Sequence, residues 1–216
     1  MKVSVVIVTY RRFDNLRRII DAWLAETPDV WLCDCSENGV PFSVSDVHHC
    51  RFYPDPGNRV RHAVATLTSG DIVIKADDDI LPRPGLAADF VKHMGTLGPS
   101  ILGIHGRIFR GPRYYGNTKH YGSKSITKPL RVHFVGVTTC APREYLAMDL
   151  RGCDTETEDL YWQMKCYPKV PKYVIQTDKF MNLPESKDKG RLCQSPKARA
   201  IRERFYREYY LKHYAK

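Results

Sequence analysis

Residues 71–84 read DIVIKADDDILPRP, and the rest of the chain is parsed outward from them. The run up to Ala76 has the length and β-branched content of a buried strand. It ends in three consecutive carboxylates, Asp77, Asp78 and Asp79. Like charges side by side raise one another's pKa and weaken a fold that leaves them uncompensated, so a cation is expected at the end of this strand. Side chains alternate along a strand, which turns Asp77 and Asp79 to one side and Asp78 to the other. Carboxylates so placed suit a hard divalent ion, Mg²⁺ or Mn²⁺, that keeps waters and shares its remaining positions with a diphosphate. A solvated acidic turn is the alternative.

On either side of this stretch, strand and helix patterns alternate, as in a largely parallel α/β sheet covered by helices. VSVVIV (3–8) reads as a strand, followed by Leu16, Ile19, Ile20, Trp23 and Leu24 at helical spacing, and VWLCD (30–34) as the next strand. Asn58 is placed to cap a helix carrying Val60, Val64 and Leu67, with Gly70 ending it, and Pro84 to open one bearing Leu86, Phe90 and Met94. ILGIH (101–105), RVHFVGVTT (131–139) and KYVIQT (172–177) are further strands, and the stretch between the first two shows no clear period. Thr155 and Glu158 have the spacing of a capping box. Ser195 and Pro196 start a last helix with Ala198, Ile201, Phe205 and Tyr209 as its apolar stripe. In an open α/β sheet ligands bind beyond the carboxyl ends of the strands, which is where the aspartates fall.

A chain of 216 residues, 43% hydrophobic, can bury one sizeable core, so a single domain with insertions is expected and disorder is not. The net charge of +10 favours a polyanionic partner such as nucleic acid, anionic lipid or nucleotide phosphate, beside the plainer reading of a basic solvated surface. The seven cysteines are odd in number and lack C-x-x-C spacing, and Cys33 and Cys35 face one way on a strand as small apolar side chains. The apolar run before Tyr10, Arg11 and Arg12 is too short for a signal peptide or a membrane span. A soluble chain of a reducing, cytoplasmic compartment is expected.

The order VSVVIVTYRR, LCDCSEN, NRVRHAVATLTSGDIVIKADDDI resembles the nucleotide-sugar-binding half of GT-A glycosyltransferases of the family 2-like kind, whose D-x-D motif follows such a strand. DDDILPRPGL, ILGIHGRIFR and TEDLYWQM are similar to exostosin-type GT-A domains. The resemblance implies one Rossmann-like GT-A domain over 1–216: a donor half (1–100), an acceptor-side half (101–181), then a mobile loop and C-terminal helix (182–216). It implies a UDP-sugar donor and Mn²⁺ or Mg²⁺, with Asp79 as direct metal ligand, Asp77 near the ribose and the metal, and Asp78 in the surrounding shell. The ion's role is to neutralise charge growing on the UDP leaving group. Asp34 is matched to the N3 hydrogen of uracil, Asn58 and Arg61 to the base or diphosphate, and Thr9, Tyr10 and Arg11 to the nucleotide. Lys187, Lys189 and Arg191 belong to a loop that closes over the diphosphate. Glu158 and Asp159 resemble the acidic pair facing the acceptor, Asp159 in the first place, although acids in a first helical turn are favoured by the macrodipole anyway. The first half resembles inverting enzymes and the exostosin-like parts retaining ones.

For the acceptor, charge distribution carries the reading. From Phe90 to Arg143 there is no Asp or Glu, while nine Lys and Arg residues lie in that span. Within it Arg107, Arg110 and Arg113 interleave with Tyr114, Tyr115 and Tyr121, a combination that suits phosphates and stacked bases. Three functions follow: a GT-A enzyme that glycosylates hydroxymethylated pyrimidines in DNA, resembling in type the small glycosyltransferases of bacteriophages; a GT-A enzyme for a cell-surface polysaccharide or lipid-linked glycan; and a non-catalytic, basic nucleic-acid-binding protein.

Overall fold

The computed structural model describes residues 1–116, 118–148, 150, 153–184 and 196–212. In chain order its elements are β1 (Val3–Thr9), α1 (Leu16–Leu24), β2 (Val30–Asp34), β3 (His48–Arg51), α2 (Val60–Ala65), β4 (Ile72–Ala76), β5 (Ile80–Pro82), α3 (Leu86–Leu97) and β6 (Ile101–Phe109). There follow β7 (Thr118–Gly122), β8 (Leu130–Arg131), β9 (Phe134–Pro142), α4 (Arg143–Leu146), α5 (Glu158–Leu160), β10 (Lys172–Val174), β11 (Phe180–Asn182) and α6 (Pro196–Phe205). Both α5 and α6 run on as π-helical turns, Tyr161–Cys166 and Tyr206–Leu211.

One sheet has the order β3-β2-β1-β4-β9-β6-β10-β8, with β7 paired to the second half of β6. The four strands from β3 to β4 are parallel; β9 then runs antiparallel between β4 and β6. A second, two-stranded sheet joins β5 to β11. Val5 and Ile7 of β1 pack with Ile19 and Trp23 of α1 and Leu86 and Phe90 of α3 on one face. Val6 and Val8 pack with Val60 and Val64 of α2 and Trp162 on the other. Apolar residues on both faces of β1 and β4 are what a parallel strand under two helix layers requires. A third, aromatic core seats α6 against β6 through Phe109, Tyr114, Phe134, Phe205, Tyr206 and Tyr210.

The α/β class and the strands read at 3–8, 30–34 and 71–76 stand as expected. Elsewhere local pattern gave way to packing. Asn58 caps nothing: it lies inside a 3₁₀ turn, Gly57–Arg59, that leads into α2. Leu67 is 60% exposed. The expected strand 131–139 is two strands, β8 and β9, and the aperiodic stretch before it contains β7. Thr155 and Glu158 form no capping box; Thr155 Oγ1 bonds Glu156, and Glu158 turns into the interior. Cys33 and Cys35 are buried in the α2-side core as free thiols. Ser195 and the basic residues Lys187, Lys189 and Arg191 lie outside the described residues.

Candidate active site

The carboxyl ends of β1, β2 and β4 meet the start of α5, and the acidic triplet sits where they converge. Two arginines of the chain bring positive charge to it. Arg12 Nη1 lies 3.2 Å from Asp78 Oδ1 and 3.1 Å from Asp79 Oδ2. Arg61 Nη2 donates to Asp77 Oδ1 at 3.0 Å, and the Thr138 N–H donates to Asp77 Oδ2 at 3.0 Å. Thr9 Oγ1 donates to Asp78 Oδ2 at 3.2 Å. Burial pushes the Asp78 carboxyl up to about 6; Arg12 opposes the shift, while Asp77 and Asp79 add to it.

The triplet is thus divided among unlike partners. Asp77 has one oxygen on Arg61 and the other on a backbone amide, so its part is with those groups more than with a metal. Among the described residues, no group of three or more His, Cys, Asp or Glu forms a ready cage. Mg²⁺ and Mn²⁺ take one or two carboxylates and complete their shell with water and phosphate oxygens. Asp79, with a side chain 29% exposed, fits such an ion.

Of the remaining donor-side residues, Thr9 is buried and Tyr10 is 40% exposed, with the Arg11 guanidinium 5.0 Å from its ring centre. Arg11 takes φ 62, a left-handed conformation uncommon outside glycine. Asp34 departs from expectation. Its carboxylate is fully buried, accepts from the Ser36 N–H and hydroxyl and from the Val40 N–H at 2.9 Å, and so holds the turn that follows β2.

Glu158 and Asp159 have separate environments. Glu158 is buried, and its Oε1 contacts both Lys75 Nζ of β4 and His62 Nε2 of α2. His62 Nδ1 lies 2.9 Å from the Leu146 carbonyl and, as the only possible donor of that pair, carries its hydrogen there. Burial pushes the Glu158 carboxyl up, but Lys75, His62 and Arg61 together outweigh it and hold it well below the usual range. Glu158 therefore cannot meet an acceptor; it ties α5 to the strand that carries the triplet. The same region is fixed by Arg59 Nη1, which donates to the Cys153 carbonyl at 3.2 Å, and by Gly57. Gly57 has φ 68, and a Cβ there would stand 2.6 Å from Thr155 Cγ2.

Asp159 is 31% exposed and is gripped by Arg202 of α6 at 3.0 and 2.9 Å. Arg202 also donates to the Glu156 carbonyl and the Tyr114 hydroxyl. Tyr114 is fully buried in the aromatic core, which removes it from the surface residues expected to stack bases. Tyr115 is 42% exposed and packs edge-on to Tyr114, Tyr121 is half-buried beside Lys119, Arg107 lies over the Tyr114 ring at 4.9 Å, and Arg110 and Arg113 are exposed.

Arg12, Lys75, His62 and Arg202 were not among the expected site residues. Lys75 carried the clearest signal: a lysine inside a strand buried on both faces must find an internal counter-charge.

No family model matches the sequence, and no curated protein matches it. Solved structures of TarS from S. aureus do match the fold. Residues 1–349 of TarS superpose with TM-score 0.58 at 16% identity, covering 83% of this chain and 59% of that one. The complex of the same fragment with UDP-GlcNAc gives TM-score 0.60 at 14% identity, covering 90% and 61%. The chain therefore shares the GT-A-like α/β fold of these structures and spans about three-fifths of the TarS chains it matches. No described helix is long and apolar enough to cross a membrane.

Proposed function

We propose that the chain is a glycosyltransferase that moves a sugar from a UDP-sugar to a hydroxyl acceptor, and that the acceptor is a 5-hydroxymethylpyrimidine base in DNA. The observation that supports it most is the acidic triplet at the carboxyl end of β4, set between Arg12 and Arg61 in a fold shared with a protein solved with UDP-GlcNAc. The diphosphate lies over the ends of β1 and β4, where Arg12 and Asp79 face it. A divalent ion bound there supplies positive charge to the leaving group. Asp159, partly exposed and held by Arg202, orients the acceptor hydroxyl and takes its proton as the oxygen bonds to the anomeric carbon and UDP departs.

The acceptor reading rests on the surface beyond the triplet. Arg110, Arg113, Lys119, Lys124, Lys128 and Arg131 are all exposed along the acid-free span, with Tyr115 among them. A hydroxymethyl group offers a primary alcohol in the major groove or on an unstacked base. The test is a screen of nucleotide sugars, with Mn²⁺, against hydroxymethylated DNA, unmodified DNA and simple glycans, read by product mass. Transfer to hydroxymethylated DNA alone is expected. Transfer to an oligosaccharide and not to the modified DNA makes the chain a polysaccharide or glycolipid enzyme.

A further inference from the structure

Five buried side-chain polar atoms lack a hydrogen-bond partner among the described residues, and three of them belong to residues that bond Asp77 or feel its charge. They are Arg61 Nε, Thr138 Oγ1 and His105 Nδ1. Arg61 and Thr138 both donate to the Asp77 carboxylate through other atoms, and Asp77 is close enough to His105 to act on its charge. Thr138 is 1% exposed. An unsatisfied buried polar group is rare in a folded protein and calls for a reason, and three on one carboxylate call for a common one.

The backbone points to the same place. Gly136 of β9 stands opposite His105 of β6, and Thr139 opposite Gly103, so Val137 and Thr138 face a single residue of β6 and form a bulge. Both bulge residues have positive φ, 56 and 36. Consecutive β-branched residues in that region are strained, and such strain persists where the surroundings impose it, typically at binding sites. The bulge aims the Thr138 amide at Asp77 and leaves its buried hydroxyl without a hydrogen-bond partner.

The chemistry of the three atoms selects the ligand. A metal ion takes lone pairs and is repelled by the Arg61 N–H; a phosphate would use all three atoms as donors only, whereas a polyol also uses the accepting capacity of the hydroxyl and the imidazole. Arg61 Nε is a donor, a threonine hydroxyl donates and accepts, and a neutral imidazole nitrogen does either. That mixed set matches a polyol. We propose that Thr138 and His105, with Arg61 and Asp77 behind them, form the subsite that reads the hydroxyl groups of the donor's sugar ring and so sets which UDP-sugar is used. The proposal rests on the reading of the site as a UDP-sugar site.

Thr138→Val and His105→Phe each remove an orphaned polar atom while keeping bulk, so neither should lower the melting temperature. The two variants and the wild type are titrated with UDP, UDP-glucose, UDP-galactose and UDP-GlcNAc in the presence of Mn²⁺. The affinity gained by adding the preferred sugar to UDP is expected to fall about 3- to 10-fold in each variant, the worth of one hydrogen bond, with UDP affinity unchanged. Wild-type ratios in both variants overturn the proposal, as does an equal loss for UDP itself, which would make these residues diphosphate contacts. Should one variant fold poorly, the other decides. If the wild type binds neither UDP nor any of the sugars, the UDP-sugar reading fails and this subsite fails with it; if it binds UDP normally, the two failures are told apart.

Discussion

Adjacent residues with one charge type carry different tasks when their environments differ, and Glu158 and Asp159 show it. Glu158 is sealed between Lys75 and His62, so Glu158→Gln leaves a buried ammonium unpaired and should cost about 3–5 kcal/mol in urea unfolding. Asp159 is 31% exposed, so if it takes the acceptor proton, Asp159→Asn should lower turnover by about 10²-fold or more at unchanged melting temperature, with UDP affinity within about 2-fold of wild type. A variant that loses UDP binding instead would place Asp159 in the donor site. In the sequence both residues read as acids of one first helical turn. What separated them was invisible locally: the partner of Glu158 comes from β4 and that of Asp159 from α6. The triplet itself was legible, because three like charges after an apolar strand demand compensation. That an arginine three residues past β1 compensates two of them depends on strand order, which spacing does not give.

At the scale of elements, the parallel strands were legible because each is a short apolar run with its own turn signals, and their edges were not. β3, β7 and β11 are short, partly exposed strands and β5 a buried one of three residues, all held by pairing to a neighbour with little pattern of their own. In α6 the expected stripe through Ile201 and Tyr209 is displaced: Arg202, Tyr206 and Tyr210 are buried, because Arg202 reaches Asp159 and a π turn shifts the register after Phe205. β10 carries a prediction. Lys172 is buried, donates to the carbonyls of Tyr167 and Val170 at 3.0 and 2.9 Å, and is pushed down to about 8, chiefly by burial and further by Arg131. The unfolded chain binds the Lys172 proton up to a higher pH than the folded one, so stability contributed by this group rises from pH 8 towards pH 10.5. Unfolding at pH 7.5 and pH 10 should show a gain on the order of 2–3 kcal/mol in the wild type that is absent in Lys172→Met. Equal pH dependence in the two proteins would show that the ammonium is not desolvated.

For the whole molecule, the parallel half of the sheet brings β1, β2 and β4 to one rim, and β9 crosses between β4 and β6 to deliver Thr138 to the same place. The excess positive charge is laid on the far half, along the exposed residues from Arg110 to Arg131. If that face binds DNA, Arg110→Glu with Arg113→Glu should weaken binding uniformly across sequences, lower the salt dependence by about one unit of slope per lost contact, and spare UDP. An unchanged salt slope would assign the charge to solvation. The proposed function rests on a nucleotide-sugar donor seated at the acidic triplet, and calorimetric titration of UDP with Mn²⁺ into the wild type and Asp79→Ala tests that most directly. Saturable binding by the wild type, weakened at least about 10-fold in a variant of unchanged melting temperature, is the predicted result. Equal UDP affinity in the two proteins would contradict it.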